Sequence, residues 1–370
     1  LSEAMLYRSG AIRSLGRVDH RDAFLDTDAL ERERGITIFS KQARLTWKNR
    51  AVTLLDTPGH VDFSGETERT LPVLDAAILV VSGTDGVQGH TRTLWRLLRR
   101  NHVPTFLFIN KTDLSGVNRA ARMQELRSLL SPECADFSGT DWMEQAAAES
   151  EAALESFLSA GTIPPEEVRR LIAEEKLFPC LFGAALRLDG VEKLLDTLAL
   201  YAPVKPAGDA FGARVYKISR DAQGARLTWL RVTGGELRAR AAVKVPTENG
   251  ETEEKIHQIR LYSGEKYELT DAVKAGTVCA VTGLTAAHSG DALGAEKGKS
   301  AALLEPVFTY RVHAEKADPH TVLEKLRLLE EEDPLLHVVY DEAAREIRVQ
   351  LMGEVQLEIL ERLCRSRFGL

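Results

Sequence analysis

The sequence has little cysteine: Cys134, Cys180, Cys279 and Cys364 are all there is in 370 residues, and no two stand at C-x-x-C spacing. Zinc ribbons and dithiol redox centres are thereby excluded, and such sparse use fits a reducing cytoplasm. Glycine (27) and proline (13) are too few for a low-complexity or collagen-like chain. No apolar run approaches the roughly 20 residues of a membrane helix, and no charged-then-apolar leader opens the chain, so neither a membrane partner nor secretion is expected. None of the nine histidines falls in an H-E-x-x-H pattern, which argues against a metalloprotease. Positive charge is short as well. With 48 Lys and Arg against 55 Asp and Glu the formal charge is −7. That argues weakly against a nucleic-acid binder without sequence preference, which lives on phosphate neutralisation. A few basic patches would still serve one large RNA partner. What remains is ordinary: 44% apolar, 28% charged and 6% aromatic residues exclude disorder. The length predicts two or three domains at about 150 residues each.

Leu1, Met5, Leu6 and Ile12 recur at roughly helical spacing, with Gly10 a poor fit to a helix interior. The first residue is not Met, so a preceding stretch is expected. From residue 51 the pattern is strand, turn, helix, repeated. AVTLLD (51–56), AAILVVSG (76–83), VPTFLFIN (103–110) and LFPCLFGAA (177–185) read as buried strands. Helices are predicted from Thr91 to Asn101 and from Val191 to Leu200, and residues 115–176 are helical and charged. Short apolar runs alternating with helices predict an α/β domain, a parallel sheet with helices on both faces, over about 1–203. PVKPAGD (203–209) is a linker by composition. Short β-rich runs over 207–303 predict an antiparallel barrel or sandwich. After Pro306 the order strand, helix, hairpin, helix over 305–370 predicts a ferredoxin-like α+β unit.

Three motifs carry chemistry. DTPGH (56–60) follows a strand, at the sheet edge where α/β proteins bind ligands. Asp56 there can hold Mg2+ through water, and Gly59 lets a backbone N–H approach a phosphate. A strand ending in a tight turn gives the same letters. NKTD (110–113) ends another strand. Asn110 offers an amide to a purine, Asp113 accepts from the N1–H and amine of guanine, and Lys111 lays its stem along the base. An ordinary polar turn is the plain alternative. RGITI (34–38) sits behind the charged run ALERER, where Thr37 offers a hydroxyl to Mg2+ in a mobile loop. It also reads as a strand start.

Taken together, DTPGHVDF (56–63), ERERGITI (31–38) and NKTD (110–113) resemble the translational GTPases, the family of elongation factors Tu and G, over the whole chain. The resemblance implies a P-loop-type GTPase domain, a β-barrel domain and a ferredoxin-like domain. Within the family, MLYRSGAIRSLGRVD (5–19), DGVQGHTR (85–92), RLTWLRVTGGELRARAAV (226–243) and EEDPLLHVVYDEAAREIRVQLMGEVQLEIL (331–360) look most like the tetracycline-resistance ribosomal-protection proteins. The large insert of elongation factor G is absent from the first domain.

By this resemblance Thr37 closes onto Mg2+ and the γ-phosphate, Asp56 supports the metal, the Gly59 amide senses the γ-phosphate, and His60 orients the attacking water. Asn110, Lys111 and Asp113 read guanine. Ala184, Ala185 and Leu186 stand where the family has Ser-Ala-Lys or Ser-Ala-Leu, so the Ala185 amide is expected to reach the guanine carbonyl. The resemblance further implies GTP as substrate and GDP as product with Mg2+, the ribosome as partner, and a cytoplasmic monomer. The family's phosphate loop, G-x-x-x-x-G-K-[ST], belongs immediately before Leu1. Losing three hydrogen bonds to charged phosphates costs about 5–9 kcal/mol, more than a thousandfold in affinity. The 370-residue chain alone is therefore expected to bind GTP poorly and not to turn it over. Two further domains are expected after Leu370. Rival readings are a non-hydrolysing ribosome-binding scaffold and another translational GTPase, one that recycles release factors or drives back-translocation. Arg92, Arg96, Arg99 and Arg100 share a helix face that is either solvated or an RNA contact. Glu330 to Asp333 close a helix against its dipole with no evident role.

Overall fold

The computed structural model of the chain describes residues 1–16, 23–26, 28–300, 302–313 and 317–370. The last residues of the 5–19 stretch quoted above lie outside these. The chain folds as two compact units, and both interleave distant parts of the sequence. The first holds Leu1–Gly16, Arg44–Leu54 and Leu74–Pro206. The second holds Arg17–Ala43, Leu55–Val73 and Ala207–Leu370.

The first unit is organised by a parallel sheet of four strands in the order Ala77–Ser82, Thr105–Asn110, Phe178–Phe182, Cys134–Asp136. Phe106, Leu107, Phe108 and Ile109 are fully buried, as an unbroken apolar run in a central parallel strand requires. The edge strand Cys134–Asp136 lies within the stretch expected to be helical, and three residues are too short for a period to show. A second difference concerns AVTLLD. The strand Arg50–Asp56 pairs with Lys41–Trp47 in a separate two-stranded ladder, and its residues are half-buried, with Ala51 exposed, rather than buried. The helices of 115–176 are set by local signals. Asn118 and Ser150 cap Arg119–Leu129 and Glu151–Ala160 through Ala121 N (3.0 Å) and Ala153 N (3.1 Å). Pro165 opens the next helix, and Gly161 (φ +68°) closes Glu151–Ala160. The opening helix is only Ser2–Arg8, because Gly10 (φ +75°) ends it before Ile12.

The second unit carries the expected antiparallel β domain. A six-stranded sheet and two short ladders surround one core that includes Val215, Leu230, Val245, Ile259 and Val281. The pairing of Gly212–Arg220 with Arg226–Gly234 slips at Tyr216, since Val215 faces Leu230 while Lys217 faces Trp229. The bulge keeps Ile218 on the core side with Val215 and puts Lys217, which unbroken alternation from Val215 would place in that core, on the opposite face. The final segment is a three-stranded sheet, Phe308–Val312 and Val339–Asp341 flanking Glu346–Leu351, with the helices Pro319–Glu332 and Glu354–Phe368. This is the strand, helix, hairpin, helix order expected. The carboxylates from Glu330 to Asp333 all have partners: Val338 N, Arg220 and Arg226, Arg367, and Arg69 respectively. Among the described residues no helix is long and apolar enough to cross a membrane.

Candidate functional site

The residues expected to read a base belong to the first unit. Asn110 is the last residue of its buried strand, and Lys111 turns the chain with φ +64°, in the left-handed region. Thr112 N donates to Gly183 O (3.1 Å), which joins this turn to the one after Phe178–Phe182. Gly183 is required by contact, because a Cβ there would meet Asp189 O at 2.3 Å and the Phe108 ring at 2.7 Å. The Ala185 amide donates to Asn110 Oδ1 (2.9 Å). The family resemblance reserves that amide for guanine; here it fastens the two strand ends together and leaves the Asn110 NH2 group for another acceptor. Ala184 and Ala185 are buried, while Leu186 is 58% exposed. The Asp113 carboxylate faces Arg187 Nε at 2.8 Å.

The other named residues belong to the second unit. Asp28 and Glu31 form a capping box at the helix Ala29–Arg34, which ends at Gly35 (φ +67°). Glu31 is fully buried, and its Oε1 accepts from Ile38 N and Phe39 N, both at 2.9 Å. The loop bearing Thr37 is thus folded back onto the helix before it. The charged run is only partly a solvated loop. Thr37 is half-buried just before Ile38, which packs with Phe63 and Ile359.

Asp56 ends its strand, and Gly59 is exposed with nothing within 4 Å of the place a Cβ would take. Thr67 Oγ1 donates to Pro58 O (2.9 Å) and holds the turn from below. His60 opens a single turn, Val61–Phe63, and its Nδ1 accepts from Asp62 N (3.2 Å). A neutral ring so placed carries its proton on Nε2. Thr37 and Asp56 are hard oxygen donors, the kind Mg2+ takes alongside phosphate and water. Among the described residues there is no group of three or more His, Cys, Asp or Glu that could hold a metal ion.

Sequence reasoning missed a set of buried carboxylates beside His60. Asp62, Glu66 and Glu68 are 6, 8 and 5% exposed. Glu66 Oε1 accepts from Lys217 Nζ (2.6 Å), Ser40 Oγ (2.6 Å) and Ser40 N (2.9 Å), and its Oε2 from Arg69 Nη2 (2.5 Å). Burial alone would raise its pKa, but Lys217 and Arg69 outweigh that and hold the carboxyl well below its ordinary range. Glu68 accepts from Leu303 N (2.6 Å) and Leu304 N (3.1 Å). Only the acidic letters of DFSGETER signalled these residues, and acidic letters read as solvent-facing. The cysteines are all free thiols, three of them buried, and burial pushes Cys279 up to about 12. None is chemically poised.

Compared with known proteins, residues 1–204 match the family described as Elongation factor Tu GTP binding domain. Residues 210–296 match Elongation factor G domain 2, and residues 303–370 match Elongation Factor G, domain III. The chain belongs to the elongation factor Tu GTP binding domain family, the one its three motifs resemble. Its relatives place it on the elongation factor G branch, near the tetracycline resistance proteins. It is 34% identical to Tetracycline resistance protein TetP of Clostridium perfringens over all of this chain and 61% of that protein. It is 31% identical to Tetracycline resistance protein TetW of Butyrivibrio fibrisolvens, with the same coverage, and 28% identical to Elongation factor G of Ureaplasma parvum over 64% of that protein. The chain therefore spans about three-fifths of the length of the curated relatives it matches. A solved structure from Thermus thermophilus shares the fold, with a TM-score of 0.85 over 97% of this chain and 62% of that one at 23% identity.

Proposed function

We propose that this chain forms the GTP-hydrolysing body of a ribosome-dependent translation factor, of the elongation factor G type or of the type that protects ribosomes from tetracycline. One observation carries the reading: RGITI in the loop before a strand, and DTPGH and NKTD at strand ends, stand in the family's order in a chain of the elongation factor Tu GTP binding domain family. The names of the relatives support the ribosomal task. On this reading the functional domains run over 1–203, 207–303 and 305–370, and the protein works as a cytoplasmic monomer.

GTP is the substrate, and GDP and phosphate are the products. Asp113 accepts from guanine N1–H and the exocyclic amine once Arg187 swings aside or shares the carboxylate. The Asn110 NH2 group faces the purine, Lys111 covers its plane, and Ala184, Ala185 and Leu186 back the base. Thr37 and Asp56 would hold Mg2+, which when bound offsets charge on the β- and γ-phosphates. The Gly59 amide meets the γ-phosphate at a place no side chain fills. His60 presents Nε2–H because its Nδ1 is taken by the Asp62 amide. It therefore orients the attacking water as a donor and is not the base that removes its proton. Phosphoryl transfer asks for such positioning more than for covalent help.

In the gene product, His60→Ala should lower ribosome-stimulated hydrolysis by about 10²-fold or more, the usual scale for one positioned side chain, with GTP affinity unchanged. Unchanged turnover removes His60 from the mechanism. Stimulation by tetracycline-stalled ribosomes, set against ribosomes without drug, separates the two types of factor.

A further inference from the structure

We propose that Asp62 is a positioning residue for His60, and that the helix Glu354–Phe368 holds it in place. The third segment of the chain thereby sets whether His60 is aligned for turnover. The proposal rests on the reading of His60 just given.

The helix Glu354–Phe368 begins after Gly353, which has no side chain to cap it. Its first amides are donors that need a partner. Asp62, almost three hundred residues earlier, supplies one: its Oδ2 accepts from Val355 N (2.8 Å) and Gln356 N (3.3 Å). A carboxylate at a helix N-terminus meets both hydrogen-bond donors and the favourable end of the dipole. The same residue fixes His60 through its backbone, by the Asp62 N to Nδ1 bond of 3.2 Å. One residue thus grips the helix with its side chain and the imidazole with its main chain.

Gly353 is required by this grip. A Cβ built there would lie 2.2 Å from Asp62 Oδ1, and its φ of −173° is open to any residue, so the need is for space alone. A second clamp keeps the helix start in register with the same segment. Gln356 accepts from Met352 N (2.7 Å) and donates to Asp333 (2.9 Å), and Asp333 accepts from Arg69 Nη1 (2.7 Å). Phe63, next to Asp62, packs with Ile359 and Val355 of the helix. The rival physical account is a direct charge effect, since Asp62 Oδ1 stands 3.5 Å from His60 Nδ1.

The experiment measures ribosome-stimulated GTP hydrolysis by the gene product, as kcat and KM, beside GTP binding and melting temperature. Gly353→Ala changes neither His60 nor Asp62, yet should lower kcat at least tenfold with KM and GTP affinity within twofold. Asp62→Ala should do the same. Asp62→Asn keeps an acceptor oxygen for the two helix amides and should retain at least a third of the wild-type kcat. The double variant Asp62→Ala with Gly353→Ala should be no slower than Asp62→Ala alone, because the shortened side chain makes room for the new methyl. That non-additivity is the mark of one shared contact, which general loss of folding does not produce. The proposal is overturned if Gly353→Ala keeps kcat within twofold, if the two single effects multiply, or if Asp62→Asn falls as far as Asp62→Ala. The last outcome would assign the effect to charge. The His60→Ala control stands apart. If it alone stops turnover, the positioning role fails while the reading of His60 survives; if it leaves turnover unchanged, the reading of His60 itself fails.

Discussion

At the turn Asn110–Asp113, groups are set by backbone geometry and stay near water: a left-handed Lys111, a glycine at 183 with no room for a methyl, and an Asp113 paired to an Arg187 that is 72% exposed. Along Asp56–Thr70 the reverse holds. The turn at Gly59 and His60 stands beside three carboxylates no more than 8% exposed, and each is bonded to a distant part of the second unit. On the proposed reading, the first turn needs only to present a fixed hydrogen-bond pattern to a base, and local chain geometry suffices for that. The second segment, which on that reading registers the state of a bound nucleotide, needs strong attachments elsewhere, since a shift can be transmitted only through contacts that resist it.

This contrast can be broken or sharpened by measurement. The largest effect is expected at the exposed turn, and on specificity alone. Asp113→Asn removes an acceptor for two guanine donors, about 3–6 kcal/mol at 1.5–3 kcal/mol per bond, and should move preference from guanine toward xanthine with stability unchanged. Competition binding reads it, and retained guanine selectivity would sink the assignment. Next, Lys217→Met leaves Glu66 buried with one partner fewer and should destabilise the second unit by about 3–5 kcal/mol in denaturant unfolding. A change under 1 kcal/mol would mean that the network is not structural. Acid should act in the same place. Because the folded pKa of Glu66 is held below its ordinary value, the stabilisation is complete above about 4.3 and is lost as pH falls below it, by at most about 1.4 kcal/mol per pH unit. The slope of stability against pH below 4 should flatten in Glu66→Gln; an unchanged slope would assign the acid loss to other carboxylates. The smallest effect belongs to Arg187→Ala, an exposed pair, at about 0–1 kcal/mol in stability. A larger loss would blur the distinction between the two regions.

The legibility of the sequence divides along the same line. Strands such as Thr105–Asn110 and Phe178–Phe182 were readable because a short continuous apolar run bounded by Gly or Pro suits little besides a buried strand. NKTD and DTPGH stood out because each is a short contiguous run of distinctive residue types. Asp62, Glu66 and Glu68 were not, because each has a partner some 150 to 290 residues on, and no local period marks an acidic residue as buried. Lys217 was hidden twice over, by its charge and by a bulge that breaks the alternation around Tyr216. The half-buried state of Arg50–Asp56 was missed for a related reason: hydrophobic content reports what a strand prefers to touch, not which ladder it joins.

Glu68 has a consequence for the join between the β domain and the last segment. Its two oxygens grip the amides of Leu303 and Leu304, at the boundary between the two domains expected over 207–303 and 305–370. A connector held at its midpoint by a helix far upstream does not behave as a free tether whose reach grows with the square root of its length. Lengthening it beyond Leu304 would slacken the path to Phe308 while leaving the grip intact, whereas inserting residues between 302 and 304 would move the grip itself. The join is anchored to Ser64–Thr70, the helix that follows the His60 turn.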